Sequence, residues 1–223
     1  MKALRWYGRE DIRLEEVPEP SPGEGEVKVK VKWCGICGSD VHEYESGPLL
    51  IPTTRPHPQT GKVAPIITGH EFSGDIVEVG KGVSGINVGD RVTVRPTMPC
   101  YKCYFCKRGE YIQCVVLASM GAAADGAFAP YVVARSDTIY QIPDALSYEV
   151  ASFCEPLACT IHGCKRGGLR PGDTAAIIGA GPIGLLTLQA VRAAGASKVF
   201  VVEPHTNRGE LARKLGATEV FNP

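Results

Sequence analysis

The sequence lacks several features that would assign its class at once. It has no surplus of charge: Lys plus Arg and Asp plus Glu number 24 each among 223 residues. No basic field therefore draws it to nucleic acid or to anionic lipid. Met1 to Glu10 carries Lys2, Arg5, Arg9 and Glu10 and has no apolar core, so it is not expected to act as a secretory signal. Internal repeats and low-complexity tracts are absent too. The one long uncharged run, Thr174 to Val191, is interrupted by Gly179-Ala180-Gly181-Pro182, which breaks a membrane-length helix. A buried strand, a glycine turn and a packed helix account for it better. Nothing points to secretion, and the nine cysteines are odd in number. Metal binding or catalysis then explains them better than disulfides, and a cytoplasmic location is expected.

What is present is an apolar content of 44%, with 26 Gly and 17 Pro. That composition suits a loop-rich globular chain of one large domain or two ordinary ones. Glu26 to Trp33 alternates strictly, with Val27, Val29, Val31 and Trp33 on one face and lysines on the other, as in a half-buried strand. Short β-rich runs follow at residues 75–79, 91–94 and 131–134, punctuated by Gly and Pro, so residues 1–155 are expected to form a β-rich domain. Residues 46–65 hold five prolines and read as a loop, placed over an active site. After Ser147 the pattern changes. Residues 148–163 read as a helix, 175–178 as an apolar strand, 183–194 as a helix closed by Gly195, and 198–203 as a strand. A helix over 208–215 and the beginning of a third strand at 219 follow. Strands alternating with helices mean a parallel, doubly wound α/β sheet over residues 156–223.

Cys100, Cys103, Cys106 and Cys114 give the spacing C-x2-C-x2-C-x7-C. Four thiolates held together repel one another, and a tetrahedral zinc both compensates them and closes the loop. A cubane iron–sulfur cluster shares the spacing of the first three cysteines, but its last spacing is shorter and a proline should follow the fourth cysteine. With four protein ligands no position is left for water, so this site is structural.

A catalytic zinc needs three protein ligands and one open position. Candidates lie in Cys34-Gly35-Ile36-Cys37-Gly38-Ser39-Asp40-Val41-His42, in Gly69-His70-Glu71 and in Cys154-Glu155-Pro156. Cys34 to Cys37 also mimics a thioredoxin redox motif, which the β-rich context and the four-cysteine lobe disfavour. Taken together, Gly69-His70-Glu71-Phe72-Ser73-Gly74, Gly80 and Val83, Val88-Gly89-Asp90-Arg91-Val92, the cysteine lobe and Gly179-Ala180-Gly181-Pro182-Ile183-Gly184 stand in a telling order. They resemble the zinc-dependent medium-chain alcohol dehydrogenases over the whole chain. Trp33 to Tyr44, Gly47-Pro48 and Glu155-Pro156-Leu157-Ala158 are similar to the 2,3-butanediol dehydrogenase branch, near the sorbitol dehydrogenases.

The resemblance implies a GroES-like catalytic domain followed by a Rossmann domain, and two zinc ions per chain. Cys37, His70 and Glu155 would hold the catalytic zinc, with Glu71 as a supporting group or alternating ligand. Asp40 would accept a hydrogen bond from the His70 ring. An alcohol or diol would lose its proton through Ser39 and then His42, and a hydride to NAD. Cys34 reads as a packed strand-end residue, and Cys154, Cys159 and Cys164 as buried helix thiols, with Cys154 a weaker rival to Glu155.

Gly179, Gly181 and Gly184 form G-x-G-x-x-G between a strand and a helix, with Pro182 and Ile183 opening that helix. A pyrophosphate is expected at the helix N-terminus. Glu203, at the end of the next strand, would bond the adenosine ribose and disfavour a 2′-phosphate, so NAD is expected. Arg208 would line the adenine edge. Only the adenosine-side half of a doubly wound domain is covered. The expectation is therefore an incomplete chain whose full-length form is a homo-oligomer, a dimer or a tetramer. Sorbitol, other polyols or threonine are the alternative substrates, and a catalytically incomplete zinc-binding polypeptide is the alternative from another class.

Overall fold

The valine–lysine alternation produces the strand around which the first unit, Met1–Glu155, is organised. The computed structural model describes residues 1–223. Along this unit lie β1 (Lys2–Gly8), β2 (Asp11–Glu16), β3 (Glu26–Gly35), α1 (Gly38–Ser46), β4 (Ile66–Ile67), β5 (Glu71–Val79), β6 (Arg91–Val94), β7 (Thr97–Met98), α2 (Tyr104–Lys107), β8 (Ala118–Ser119), β9 (Tyr131–Arg135), β10 (Ile139–Gln141) and α3 (Tyr148–Ala151). The main antiparallel sheet has the order β10-β6-β5-β3-β9, and a smaller sheet runs β2-β1-β4. Val27, Val29, Phe72, Ile76, Val92 and Val132 make its core.

The alternation does not hold to the end of β3. Between Val31 and Trp33 the register against β5 shifts by one residue, a bulge that reverses the phase of the faces. Trp33, expected on the core face, is 51% exposed, and Cys34 packs against the core instead. Gly74 sits opposite this bulge, where an added Cβ would lie 2.1 Å from the Lys30 carbonyl oxygen. Only glycine allows that approach. Residues 47–65 contain no strand or helix, as expected. They are tied down at one end by Glu43, whose carboxylate accepts the backbone N–H groups of Leu49, Leu50 and Ile51.

The second unit, Pro156–Pro223, carries most of α4 (Cys154–Arg166), then β11 (Thr174–Ile178), α5 (Pro182–Ala193), β12 (Lys198–Val202), α6 (Thr206–Lys214) and β13 (Glu219–Phe221). The three strands are parallel, in the order β11-β12-β13. Leu188, Val191, Val199, Val201 and Ala212 fill its core. The uncharged run thus divides into β11 and α5, and no helix is long and apolar enough to cross a membrane.

Two expectations need correction. The helix expected over 148–163 is broken into α3 and α4 at Ser152 and Phe153. The Ser147 side chain caps α3, and the short helix ends there before α4 starts afresh. Of the three thiols expected to be buried on this segment, Cys159 is exposed and Cys154 and Cys164 are half-buried. Only Pro156 and Thr160, one turn apart, are buried on α4, and Cys159 falls at the edge of that narrow stripe, where its thiol stays accessible.

Candidate functional site

Three short segments converge beside the end of β3. The chain leaves β3 at Gly35 and turns into α1, so that Cys37 stands just before the helix. Gly69 adopts φ +89°, and an added Cβ would strike the Phe128 ring at 2.6 Å; glycine is needed here to deliver His70. Glu71 opens β5 opposite Gly35, where a Cβ would lie 2.5 Å from its carboxylate oxygen. The outcome is that ligand atoms of Cys37, His70 and Glu71 all lie within 4.8 Å of one another. Glu155 stands outside that close set, near enough for its charge to act on His70.

Asp40 and His70 meet differently from the sequence expectation. The Asp40 carboxylate accepts the Cys37 backbone N–H at 3.0 Å and is 3.7 Å from His70 Nδ1, too far for a direct hydrogen bond. Burial raises the Asp40 carboxyl above its ordinary range, against the opposing pull of His70. Burial alone would lower His70, yet its pKa rises to about 9, because the Cys37 sulfur accepts its hydrogen bond and Asp40, Cys37 and Glu155 add negative field. A proton or a cation is what this pocket attracts. Ser39 lines a chamber beside His70, and His42 on the next turn of α1 is exposed.

This raised pKa gives a pH dependence. In the metal-free chain the stabilisation is fully present below His70's unfolded value of about 6.5 and is lost as pH rises through about 9. A metal must displace that proton. Zinc affinity at Cys37 and His70 should therefore climb by at least about tenfold per pH unit between pH 6 and 8, as ligand protons are released, measured by chelator competition. Affinity independent of pH would contradict the assignment.

The second cluster gathers all four lobe cysteines within the same 4.8 Å limit. Cys100 Sγ and Cys106 Sγ are 3.9 Å apart; zinc–sulfur bonds of about 2.3 Å in a tetrahedron require roughly 3.8 Å. Backbone N–H groups aim at the sulfurs: Cys100 N–H at Cys114 (3.3 Å) and Cys103 N–H at Cys100 (3.4 Å). The N–H groups of Cys106 and Val115 lower Cys103 to about 6, while burial and the neighbouring thiols push Cys106 up to about 12. The four cannot all ionise without a cation among them, and the donor set fits zinc.

In the second unit each glycine of the G-x-G-x-x-G loop has a separate physical reason. Gly179 turns the chain with φ +92°, and a Cβ on Gly184 would lie 2.0 Å from the Gly179 oxygen. Nothing lies within 4 Å of a Cβ at Gly181, which leaves the N-terminus of α5 open to a phosphate, with Pro182 at its first position. Ile183 is half-exposed beside it. Glu203 is 5% exposed, and its two oxygens accept the backbone N–H groups of His205 and Ala180. Those bonds hold its carboxyl below the usual range. Sequence reasoning gave Glu203 a ligand role only; it also ties the glycine loop to β12. Arg208 is exposed on α6. Gly184→Ala should cost the second unit about 1–3 kcal/mol through overpacking, read from thermal unfolding; an unchanged midpoint would contradict this packing.

Comparison with known proteins follows the same division. The alcohol dehydrogenase GroES-like domain matches residues 23–144, and the zinc-binding dehydrogenase domain matches residues 182–223. The chain is 45% identical over 218 residues to (R,R)-butanediol dehydrogenase of Bacillus subtilis, covering 97% of this chain and 62% of that protein. It is 40% identical over 223 residues to a sorbitol dehydrogenase of the same organism, covering 100% of this chain and 61% of that protein. The crystal structure of 2R,3R-butanediol dehydrogenase from Bacillus subtilis superposes with a TM-score of 0.93 at 44% identity, over 100% of this chain and 63% of that one. The chain thus spans about three-fifths of the length of these relatives. By sequence, by fold and by the order of its cysteine, histidine and glycine motifs, it belongs to the zinc-dependent, GroES-like alcohol dehydrogenase family, on the branch of the butanediol and sorbitol dehydrogenases.

Proposed function

We propose that this chain supplies the metal-binding unit and the adenosine-side nucleotide unit of a zinc-dependent, NAD-linked dehydrogenase. Its substrate is a secondary alcohol or vicinal diol, oxidised to a ketone. The observation that carries this reading is the Cys37–His70–Glu71 cluster, built in the same chain as a sulfur-only cluster and a phosphate-ready glycine loop. Cys37 and His70, with Glu155 or Glu71 as third ligand, would hold the catalytic zinc; Cys100, Cys103, Cys106 and Cys114 would hold the structural one. When bound, zinc would supply Lewis-acid polarisation of the alcohol oxygen and NAD would supply the hydride acceptor.

The chain's own residues do the rest. Cys37 and one glutamate balance the dication, so the site is formally neutral and needs no outside anion. Ser39 accepts the substrate's hydroxyl proton, and exposed His42 passes it to solvent. Glu203, kept ionised by two backbone N–H groups, has lone pairs left for ribose hydroxyls and repels a 2′-phosphate. The enzyme works as a homo-oligomer in the cytoplasm, on small molecules.

Incubating the zinc-loaded whole enzyme that contains this chain with NAD and 2,3-butanediol, sorbitol or threonine tests this directly. NADH should form, fastest with the vicinal diol. NADH from none of the three would overturn the reading and favour a metal-binding polypeptide without turnover. Ser39→Ala should slow turnover by about 10²-fold; an unchanged pH–rate profile between about pH 6 and 9 would remove the proton relay.

A further inference from the structure

We infer that Thr68 positions His70 through a water molecule held in the chamber that both residues line, which makes Thr68 a positioning residue of the metal site. Three observations meet there. Thr68 is 2% exposed, and no protein group bonds its hydroxyl. A buried hydroxyl is rarely left without a partner. Its backbone does not lack one, since the Thr68 carbonyl accepts the Phe128 N–H at 2.9 Å; only the side chain is unmatched.

The second observation is the chamber itself. Its volume is about 90 Å³, and Ser39, Asp40, Thr68 and His70 share its lining with Met120 and Ile51. A water needs roughly 10–15 Å³ of such space and two to four polar partners, and both conditions are met. The third observation is the 3.7 Å gap between Asp40 Oδ1 and His70 Nδ1. The Gly69 backbone N–H acts on the same carboxylate, and Asp40 and Thr68 line one chamber.

A water in this position accepts the Nδ1–H proton of His70 and donates to Asp40 and to Thr68 Oγ1. That arrangement fixes the ring's tautomer and leaves Nε2 as the lone pair free for a metal. Asp40, already committed to the Cys37 N–H, then acts on the ring at one remove. Thr68, two residues before His70, sets where the water sits.

The inference rests on the metal reading of Cys37 and His70, and the test separates the two. Zinc affinity of the intact polypeptide is measured by chelator competition for wild type, Thr68→Val, Thr68→Ser and Cys37→Ser, with thermal unfolding of each metal-free protein alongside. Thr68→Val keeps the shape and removes the hydroxyl. It should weaken the site that Cys37→Ser abolishes by about tenfold, leave the four-cysteine site unchanged and not lower the metal-free midpoint. Thr68→Ser should restore wild-type affinity. If Thr68→Val binds zinc like wild type, or if Thr68→Ser loses as much as Thr68→Val, the water bridge is wrong while the metal site stands. If Cys37→Ser does not change metal content, the metal reading fails and the inference falls with it.

Discussion

His70→Ala is expected to abolish turnover while sparing the fold. Of the residues in the ligand cluster, His70 alone combines a half-buried ring, a sulfur hydrogen-bonded to it and three negative groups acting on it. Removing the imidazole leaves Cys37 and Glu71 without the neutral ligand that completes three-point binding, and the metal is lost or misplaced. Lewis-acid stabilisation is worth several kcal/mol at the transition state, so kcat/KM should fall by about 10³-fold or more. The lobe sulfurs are untouched, and Phe72 still anchors β5 in the core. A variant retaining more than about a tenth of wild-type activity would remove metal-assisted chemistry from this site.

The second large effect falls on stability. Residues 100–115 hold one four-residue helix and one turn of 3₁₀ helix, and of their cysteines only Cys106 and Cys114 are buried. Exposed Tyr104, Ile112 and Val115 show how little apolar surface the lobe hides. Such a segment cannot offset its own conformational entropy by burial, whereas structural zinc contributes on the order of 10 kcal/mol in small zinc-binding peptides. Cys103→Ser should release one metal, lower the thermal midpoint by well over about 5 °C and open the lobe to proteolysis. A folded, protease-resistant lobe without metal would mean that packing holds it.

Much of this was legible in the sequence, and the failures have physical causes. The cysteine lobe and the glycine loop were readable because their chemistry is local: ligand spacing and turn conformation are set within a dozen residues. The valine–lysine alternation identified β3 but not its end, since a bulge depends on the partner strand, which pairs Gly74 with Val31 and sets it against the Lys30 carbonyl. The β1–β2 hairpin was not recognised, because its inward residues Ala3 and Trp6 are too sparse to give a period. Glu43 carried no signal at all. A glutamate on a short helix reads as a solvated group, and only the fold reveals it 3% exposed and bonded to three backbone N–H groups. Thr68 was silent for the same reason. The Asp40–His70 contact was expected as a direct bond, and its distance is set by packing that no spacing rule contains.

The two-site architecture is most directly tested by counting metal. Elemental analysis of the purified chain should find two zinc ions in wild type and one in the Cys37→Ser/His70→Ala double variant, the survivor being the ion held by the four lobe cysteines. A wild-type chain with a single zinc, or a double variant that still carries both, would contradict the account.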